Sequence, residues 1–282
     1  MSYTTKKRTL ICLMGFICVI TFGFWLHGYF YMNTDDAYVN ANILQISSRV
    51  PGRVAHIYIA DNQYVKAGQV LFQLDPASYE VAVDTAKAKL AMSEAQAALA
   101  NTTATRMSAL LVKKVVSQQE GDSTQANLKS ALAQVALDQA NLRQAELNLS
   151  YTRVLAPESG WITHFSLCEG TDVAASQSLF ALISNQEFWI DANFKETEIA
   201  HLRQGQIANI KVDMYPQHVF QGVVESISGG SGNVFSLLPP ENATGNWVKV
   251  TQRVPVRIRV IHPDAAYPLR IGTSASVTVR RA

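Results

Sequence analysis

The fold of this chain is decided by residues 75–151, which read DPASYEVAVDTAKAKLAMSEAQAALANTTATRMSALLVKKVVSQQEGDSTQANLKSALAQVALDQANLRQAELNLSY. Apolar or small side chains recur there at every seventh position, in two series: Val83, Leu90, Ala97, Ala104 and Leu111, then Leu128, Val135, Leu142 and Leu149. A sustained seven-residue step is typical of a coiled-coil seam. When the two series are paired in opposite directions, the two position numbers of each pair add up to 232, as for Val83 with Leu149. The stretch is therefore predicted to form an antiparallel helical hairpin that folds back near residue 116.

Local signals mark the ends of both predicted helices. Asp75 is a candidate N-cap, and Pro76 fits the first helical position, where a missing N–H costs nothing. Ser117 followed by Glu120 predicts a capping box for the second helix, so the turn is placed at Val115–Ser117. Each arm of roughly 35 residues would be about 50–55 Å long. Taken alone, the seam fits equally well a generic coiled coil that oligomerises.

The N-terminus has the pattern of a membrane anchor. Lys6, Lys7 and Arg8 precede an uncharged run, Thr9–Thr34. Its apolar part, Leu10–Met32, is long enough to cross a bilayer core of about 30 Å. The positive-inside rule places the N-terminus in the cytoplasm and the rest of the chain outside. A cleaved signal peptide is the alternative, but the run is longer than a usual signal core and no clear small-x-small site ends it.

Composition excludes several function classes. The 282 residues carry 24 Lys and Arg against 22 Asp and Glu, a balance that does not suggest nucleic-acid binding. Cys12 and Cys18 lie in the apolar N-terminal run, which leaves Cys168 without a partner for an intrachain disulfide. No catalytic motif stands out, and the His164–Cys168 spacing on a predicted β-run does not make a metal site. We expect no enzymatic activity, no cofactor and no metal.

The hairpin interrupts a split repeat. Residues 50–75 align without a gap to residues 158–183, at an offset of 108. Eight positions are identical: Gly52, His56, Val65, Ala67, Gln69, Leu71, Phe72 and Leu74 match Gly160, His164, Val173, Ala175, Gln177, Leu179, Phe180 and Leu182. Each half reads as short strands with turn signals, among them Gly52, Gly68, Pro157 and Gly160. Neither half could bury an apolar face alone, so the repeat predicts one pseudo-symmetric β-sandwich with the hairpin inserted.

From Glu187 onward the pattern predicts a small β-barrel, with one short helix at Lys195–Leu202. The strand-like runs are Phe188–Phe194, Gln206–Met214, Phe220–Ile227, Trp247–Ile261 and Ser274–Arg280.

These features together resemble a known family. The two half-motifs, G-x-[VI] followed by [NG]-x-x-V-x-x-[GS]-Q-x-L-x-x-L, look like lipoyl or biotinyl half-domains. A hairpin between such halves is similar to the periplasmic adaptors, or membrane fusion proteins, of the HlyD/EmrA type, and residues 34–39 and 235–258 resemble that family too. A true lipoyl or biotin carrier is the enzyme-class alternative. It would need a modifiable Lys at the tip of a tight hairpin, and Lys66 is not in such a setting.

The resemblance implies an elongated α+β fold. It comprises an N-terminal transmembrane helix, a split lipoyl-like β-sandwich interrupted by an antiparallel α-helical coiled-coil hairpin, and a C-terminal β-barrel domain. The implied domains are the cytoplasmic N-terminus and anchor (1–33), the first lipoyl-like half with its leading strand (34–74), the hairpin (75–151), the second half (152–185) and the barrel (186–282).

The resemblance also implies a docking motif at the hairpin tip. Arg106, Leu110 and Ser117 have the spacing R-x3-L-x6-S, which looks like the family's motif for binding an outer-membrane channel. In the alternative interpretation Arg106 is merely solvated, Leu110 belongs to the seam and Ser117 is only a cap. Because Leu111, not Leu110, lies on the seven-residue series, we favour docking. Gln252, Arg253 and Arg257 on a barrel strand are candidate contacts to the transporter or to neighbouring adaptors, or simply a polar strand face.

By this resemblance the protein is a non-enzymatic periplasmic adaptor in the inner membrane of a Gram-negative bacterium. It would link an inner-membrane transporter, of the major facilitator type, to a TolC-like outer-membrane channel, and would self-associate into a ring, with a hexamer as the expected size. The cargo would be drugs or other amphipathic or organic-acid compounds. The hairpin is shorter than in typical drug exporters and nearer that of aromatic-acid exporters. The alternatives are a type I secretion adaptor that serves an ABC transporter and a protein substrate, and a structural coiled-coil membrane protein.

Overall fold

The structure, a computed structural model, describes residues 30–232, 250–261, 263–264 and 266–281. The chain forms two compact units, one of residues 43–183 and one that combines the residues up to 42 with those from 184 onward. Residues 1–29 of the predicted anchor lie outside the described residues. The segment 235–247, which resembles the family, also lies outside them. Strand β1 (Tyr31–Ser47) begins inside the stretch assigned to the anchor, so Tyr31–Asn33 belong to a strand. Within the described residues, no helix combines the length and apolar character needed to cross a bilayer.

The predicted helical hairpin is confirmed. Helix α1 (Ala77–Val112) and helix α2 (Gln118–Ser150) pack along the seam, where Val83, Ala97 and Ala104 are buried. Helix α1 is assigned from Ala77, and Pro76 already has helical backbone angles. The Asp75 carboxylate accepts a hydrogen bond from the Ala77 N–H at 3.1 Å, which satisfies one of the free amides of the first turn.

The capping box of α2 is also confirmed. The Ser117 hydroxyl accepts from the Glu120 N–H at 3.3 Å, and the Glu120 carboxylate accepts from the Ser117 N–H at 3.3 Å. The turn is longer than predicted, because α1 ends at Val112, before the predicted turn at Val115–Ser117, whereas α2 starts at Gln118 as the capping box predicts.

A Schellman motif ends α1 and explains the longer turn. Lys114 has a left-handed backbone with φ of 57°. The Lys114 N–H donates to the Leu111 carbonyl at 2.9 Å, and the Val115 N–H donates to the Leu110 carbonyl at 3.1 Å. These bonds satisfy two carbonyls that the last helical turn leaves free. No glycine marks the end of α1 in the sequence, so the predicted turn begins later than the observed one.

The two repeat halves build one β-sandwich by exchanging strands. The first half supplies β2 (Gly52–Ile57), β3 (Tyr64–Val65) and β4 (Val70–Leu74). The second supplies β6 (Gly160–Thr163), β7 (Asp172–Val173) and the start of β8 (Ser178–Lys195), after a short β5 (Arg153–Leu155). Strand β3 pairs with β6 and β2 pairs with β7, so each half completes the other. The pair Gly52↔Val173 is the repeat equivalent of Val65↔Gly160.

The turns of the two halves are equivalent as well. Left-handed backbone occurs in pairs 108 residues apart, at Asn62 and Gly170 and at Gly68 and Ser176. The Gln69 side chain accepts from the Lys66 N–H at 3.1 Å, and the Gln177 side chain accepts from the Ala174 N–H at 3.1 Å. The glutamine shared by both half-motifs therefore stabilises the turn in each half by accepting a backbone N–H.

The sandwich core is itself symmetric. The rings of Phe72 and Phe180, which are repeat equivalents, lie edge to face with centroids 6.1 Å apart. Both side chains are fully buried within one apolar cluster. Aromatic pairs in this arrangement contribute about 0.5–1.5 kcal/mol beyond the area they bury.

The second unit contains the predicted barrel. Its antiparallel strands run in the order β1–β12–β9–β10–β11–β8, and a pairing between β1 and β8 closes the ring. The remaining bounds are β9 (Ile207–Val212), β10 (Phe220–Ile227), β11 (Arg253–Ile261) and β12 (Ser274–Arg280). The predicted helix at Lys195–Leu202 shrinks to a single turn, α3 (Glu196–Ile199), because β8 continues through Lys195. Alternating side chains of these strands fill the interior, with Ile190, Phe194, Ile210 and Ile258 fully buried.

Candidate functional site: the hairpin tip

The free end of the hairpin carries exposed apolar side chains. Leu110 is 39% exposed, Val112 is 85% exposed and Val115 is 67% exposed. Lys113 and Lys114 lie between the two valines. An apolar cluster at the end of a rigid arm, rimmed by charge, has the composition of a docking surface.

Backbone geometry positions Leu110. It precedes the seam residue Leu111 by one position, which turns its side chain about 100° away from the seam. The Schellman bond from the Val115 N–H holds the Leu110 carbonyl, so this part of the last turn stays helical up to the tip. Leu110 therefore belongs to the surface and not to the seam.

The other two residues of the motif differ in their surroundings. Arg106 is exposed and lies one helical turn before Leu110 on the same face of α1. The Ser117 hydroxyl accepts from the Glu120 N–H and donates to the Glu120 carboxylate, each at 3.3 Å. Ser117 therefore already shapes the start of α2. Val112 and Val115 are not among the residues that the sequence predicts for the site, although two valines flanking two lysines at a predicted turn are a usable signal.

An ion pair between a buried carboxylate and a half-exposed lysine joins the two helices of the hairpin. Asp138 on α2 is 1% exposed, and its carboxylate lies 3.6 Å from the Lys89 Nζ on α1. The Gln134 side chain donates to the same carboxylate at 3.0 Å. This hydrogen bond is the main cause that holds the pKa of Asp138 below its ordinary value, and Lys89 adds to it against the opposing effect of burial.

The barrel residues singled out from sequence have partners within the barrel unit. The Arg253 guanidinium pairs with Asp36 of β1 at 2.9 Å. The Arg257 guanidinium lies over the Trp189 ring, 4.4 Å from its centroid, and 3.9 Å from the Asp191 carboxylate. Gln252 precedes β11, and its carbonyl accepts from the Glu196 N–H at 2.9 Å.

The four predicted turn residues of the sandwich have different tasks. Only Gly68 has a positive φ, of 78°, which glycine adopts without strain. Gly52 and Gly160 begin β2 and β6 and pair with the other half, while Pro157 lies in the bend before β6. Among the described residues, no three His, Cys, Asp or Glu side chains gather where they could hold a metal ion.

Two parts of the chain match known protein families. Residues 42–185 match the family described as "RND MFP, barrel-sandwich hybrid domain". Residues 187–280 match the "AAEA-like beta-barrel domain".

Curated relatives cover nearly the whole chain. The chain is 33% identical to "Multidrug export protein EmrA" of Haemophilus influenzae, over 96% of this chain and 81% of that protein. It is 35% identical to "Fatty acid resistance protein FarA" of Neisseria gonorrhoeae, over 87% of this chain and 75% of that protein.

Solved structures share the fold. The membrane fusion protein Spr0693 of Streptococcus pneumoniae R6 aligns over 89% of this chain and 99% of that one, with a TM-score of 0.65 and 19% identity. The periplasmic adaptor protein EmrA aligns over 89% and 99%, with a TM-score of 0.50 and 21% identity.

In the part of the chain that the structure describes, a barrel-sandwich hybrid with a helical hairpin is joined in one chain to a barrel of six strands. This combination defines a membrane fusion protein, a class of adaptors without enzymatic activity. Within this class, the chain belongs to the HlyD/EmrA-type family of periplasmic adaptors. Adaptors of this type work with an inner-membrane transporter and an outer-membrane channel, and this chain is the periplasmic adaptor of such an efflux system in a Gram-negative cell.

Proposed function

We propose that this adaptor links a major facilitator transporter in the inner membrane to a TolC-like channel in the outer membrane. The residues that precede β1 would anchor it in the inner membrane, with the N-terminus in the cytoplasm, and several copies, six by expectation, would form a ring. The observation that carries the proposal is the exposed apolar tip at the end of a hairpin whose arms are 36 and 33 residues long. Such arms reach about 50 Å from the sandwich.

The tip would dock on the channel through Leu110, with Val112 and Val115 beside it. Burial of a leucine of this kind contributes about 1.5–3 kcal/mol when water is fully excluded. Arg106 would supply charged hydrogen bonds to carboxylates or to free carbonyls at the ends of channel helices. Ser117 would act mainly by fixing the turn, because its hydroxyl is engaged by Glu120.

The barrel would meet the transporter. Gln252, Arg253 and Arg257 lie at one end and along one face of β11, with their internal partners on the neighbouring elements. Arg253 and Arg257 are each partly exposed at the side chain, so they keep surface for a second partner.

The cargo proposed is amphipathic: drugs, or organic acids with an apolar body. Relatives carry the names multidrug export protein, fatty acid resistance protein and, in Acinetobacter baumannii, colistin resistance protein. Of the compounds in these names, fatty acids and colistin each combine an apolar part with charged groups, which is the chemistry proposed for the cargo.

The test is a photo-crosslinker in place of Leu110 in living cells, followed by identification of the trapped protein. The expected product contains an outer-membrane channel, and a crosslinker at the exposed shaft residue Gln144 should trap none. Crosslinks from position 110 only to the adaptor itself, or to nothing, would refute docking through the tip.

A second crosslinker at Gln252 identifies the transporter. A major facilitator protein in the product supports the proposal, whereas an ABC transporter would replace it with the type I secretion adaptor.

A further inference from the structure

The unit of residues 43–183 contains an open cleft on the β-sandwich, away from the hairpin tip. Its volume is about 710 Å³, within the range of about 300–1,000 Å³ that is usual for small-molecule sites. Residues of the segment 45–49 form a first wall, and residues 153–157 form a second wall. Tyr151, which follows the last residue of α2, also lines the cleft. The cleft therefore has the size of a site for a small molecule.

The two walls are repeat equivalents. The offset of 108 residues that relates the two halves of the sandwich maps the first wall onto the second. The structure contains the matching hydrogen bonds: the Gly68 N–H donates to the Ala156 carbonyl at 2.8 Å, and the Ser176 N–H donates to the Ser48 carbonyl at 2.8 Å. The cleft therefore lies where the two halves meet, between similar backbones that carry different side chains.

The second wall presents the edge of a sheet. Strand β5 is the terminal strand of the order β5–β4–β2–β7. The Thr152 carbonyl and the Ala156 N–H bond to the two ends of the β4 segment, at 2.8 and 2.9 Å. Because backbone groups alternate along a strand, the N–H groups of Arg153 and Leu155 point to the opposite side, which is the free edge. All of residues 153–157 line the cleft, as expected of a strand seen from its edge, so these two N–H groups are available to an anion.

The cleft is positively charged. Among the described residues, its lining includes Arg49 and Arg153 and no carboxylate. Both arginines are exposed, and neither forms an ion pair within the described part of the chain. The Arg49 guanidinium lies over the Tyr151 ring, 5.0 Å from its centroid. This contact positions the charge at the cleft and does not neutralise it.

The end of α2 repels an anion less than a bare helix end would. The last carbonyls of a helix carry a partial negative charge. Here the Leu147 carbonyl accepts from the Ser150 hydroxyl at 2.7 Å, and the Leu149 carbonyl accepts from the Thr152 hydroxyl at 2.7 Å. These two bonds reduce the negative charge that the helix end directs at the cleft, so the two arginines dominate its potential.

Apolar surface lies beside the charges. Leu155 is 50% exposed, although an exposed leucine on an edge strand is an aggregation liability unless something covers it. Tyr151 and Val154 are half-buried. Guanidinium groups and edge N–H groups next to an apolar wall fit a ligand that has a carboxylate at one end and an apolar body at the other.

We infer that this cleft binds the carboxylate form of a small amphipathic organic acid. The apolar body lies against Leu155 and Tyr151, and the carboxylate binds Arg49, Arg153 and the edge N–H groups of β5. The inference rests on the proposed function for the class of cargo, and it adds that the adaptor itself holds that cargo and selects it by charge. A cation with the same body meets two arginines that have no carboxylate to offset them, so it is rejected.

The test labels the full-length protein in membranes with 4-benzoylbenzoate, an organic acid whose apolar body is photoreactive, and maps the labelled peptides by mass spectrometry. We expect labels in the two walls. The cationic probe 4-(aminomethyl)benzophenone has the same body and should label the walls about tenfold less, because like charges repel. Labels spread evenly over the exposed apolar residues of the hairpin, or equal labelling by the two probes, would overturn the inference. Absence of label from the walls would also overturn it, since another protein would then cover the cleft.

Charge variants separate recognition from simple partition into an apolar surface. Arg49→Gln combined with Arg153→Gln should reduce labelling by the acid about tenfold, and Arg49→Glu combined with Arg153→Glu should make the cationic probe the better one. Arg143→Gln, at an exposed arginine of α2 outside the cleft, is the matched control and should label as the wild type does. Melting temperatures confirm that each variant is folded. Unchanged labelling of a folded double variant would overturn the inference, and the crosslinks from positions 110 and 252 test the proposed function independently.

Discussion

The Leu111 side chain lies in the space that a Cβ atom on Gly121 would occupy. Leu111 and Gly121 face each other at the tip end of the seam, since their position numbers also add up to 232. Absence of a side chain at position 121 lets the helices approach closely just below the turn. This contact supports the last turn of α1, from which Leu110 projects.

Gly121→Ala should therefore lower the stability of the hairpin. The new methyl group would meet the end of the Leu111 side chain, which would have to leave its place in the seam. Overpacking costs about 1–3 kcal/mol, with the low end expected for a flexible side chain, against a gain of up to about 1 kcal/mol from placing alanine in a helix, so the net loss is small. Thermal unfolding of the solubilised full-length protein measures the change. Leu111→Ala in the same chain makes room for the new methyl group, so the double variant should recover part of the loss. An unchanged or higher melting temperature for Gly121→Ala would contradict the packing described.

The carboxylate of Asp138 should make the hairpin sensitive to acid. Its pKa is lowered in the folded chain, mainly by the Gln134 hydrogen bond and further by Lys89, so its stabilising contribution is present above the unfolded-state pKa of about 4. That contribution is lost as the pH falls through the lower, folded-state pKa. Asp138→Asn should be less stable than the wild type at pH 7, and the gap should close as the pH falls below about 4. Melting curves from pH 3 to 7 for both proteins provide the measurement. A difference in melting temperature that does not change with pH would contradict the predicted contribution of the Asp138 carboxylate.

Leu110→Asp should abolish efflux. A charge in the docking cluster must be desolvated on binding, which costs several kcal/mol without a partner. Resistance of cells and the amount of adaptor in membranes are measured together, and expression should be unchanged. Leu132→Asp, at an exposed shaft position, is the matched control and should retain export. Wild-type resistance with Leu110→Asp would remove Leu110 from the docking site.

Lys114→Gly should stabilise the turn by up to about 1 kcal/mol. The left-handed backbone at Lys114 is strained for a residue with a side chain, and glycine adopts it freely. Lys113→Gly is the control, because Lys113 has φ of −81° and gains nothing from glycine. A rise in melting temperature only for position 114 would support the Schellman geometry, and equal effects at both positions would argue against it.

Much of the candidate site could be anticipated from sequence. The position of Leu110 beside the seam and the capping box at Ser117 are both local patterns. The length of the turn could not be anticipated, because Lys114 takes a conformation that normally signals glycine. The exposure of Val112 and Val115 depends on where that turn ends.

The sequence by itself determined the hairpin, the split sandwich and the barrel pattern, since a seven-residue period, a 108-residue repeat and short strand-like runs can be read directly from the chain. Only the tertiary structure decided that β2 pairs with β7 and β3 with β6, that Leu111 fills the space beside Gly121, and that Asp138 is buried against Lys89. The physical reason is that the period of apolar residues indicates only which face of its own helix or strand a residue occupies. Strand partners, close approaches and the burial of a single charge depend on packing between segments far apart in the chain.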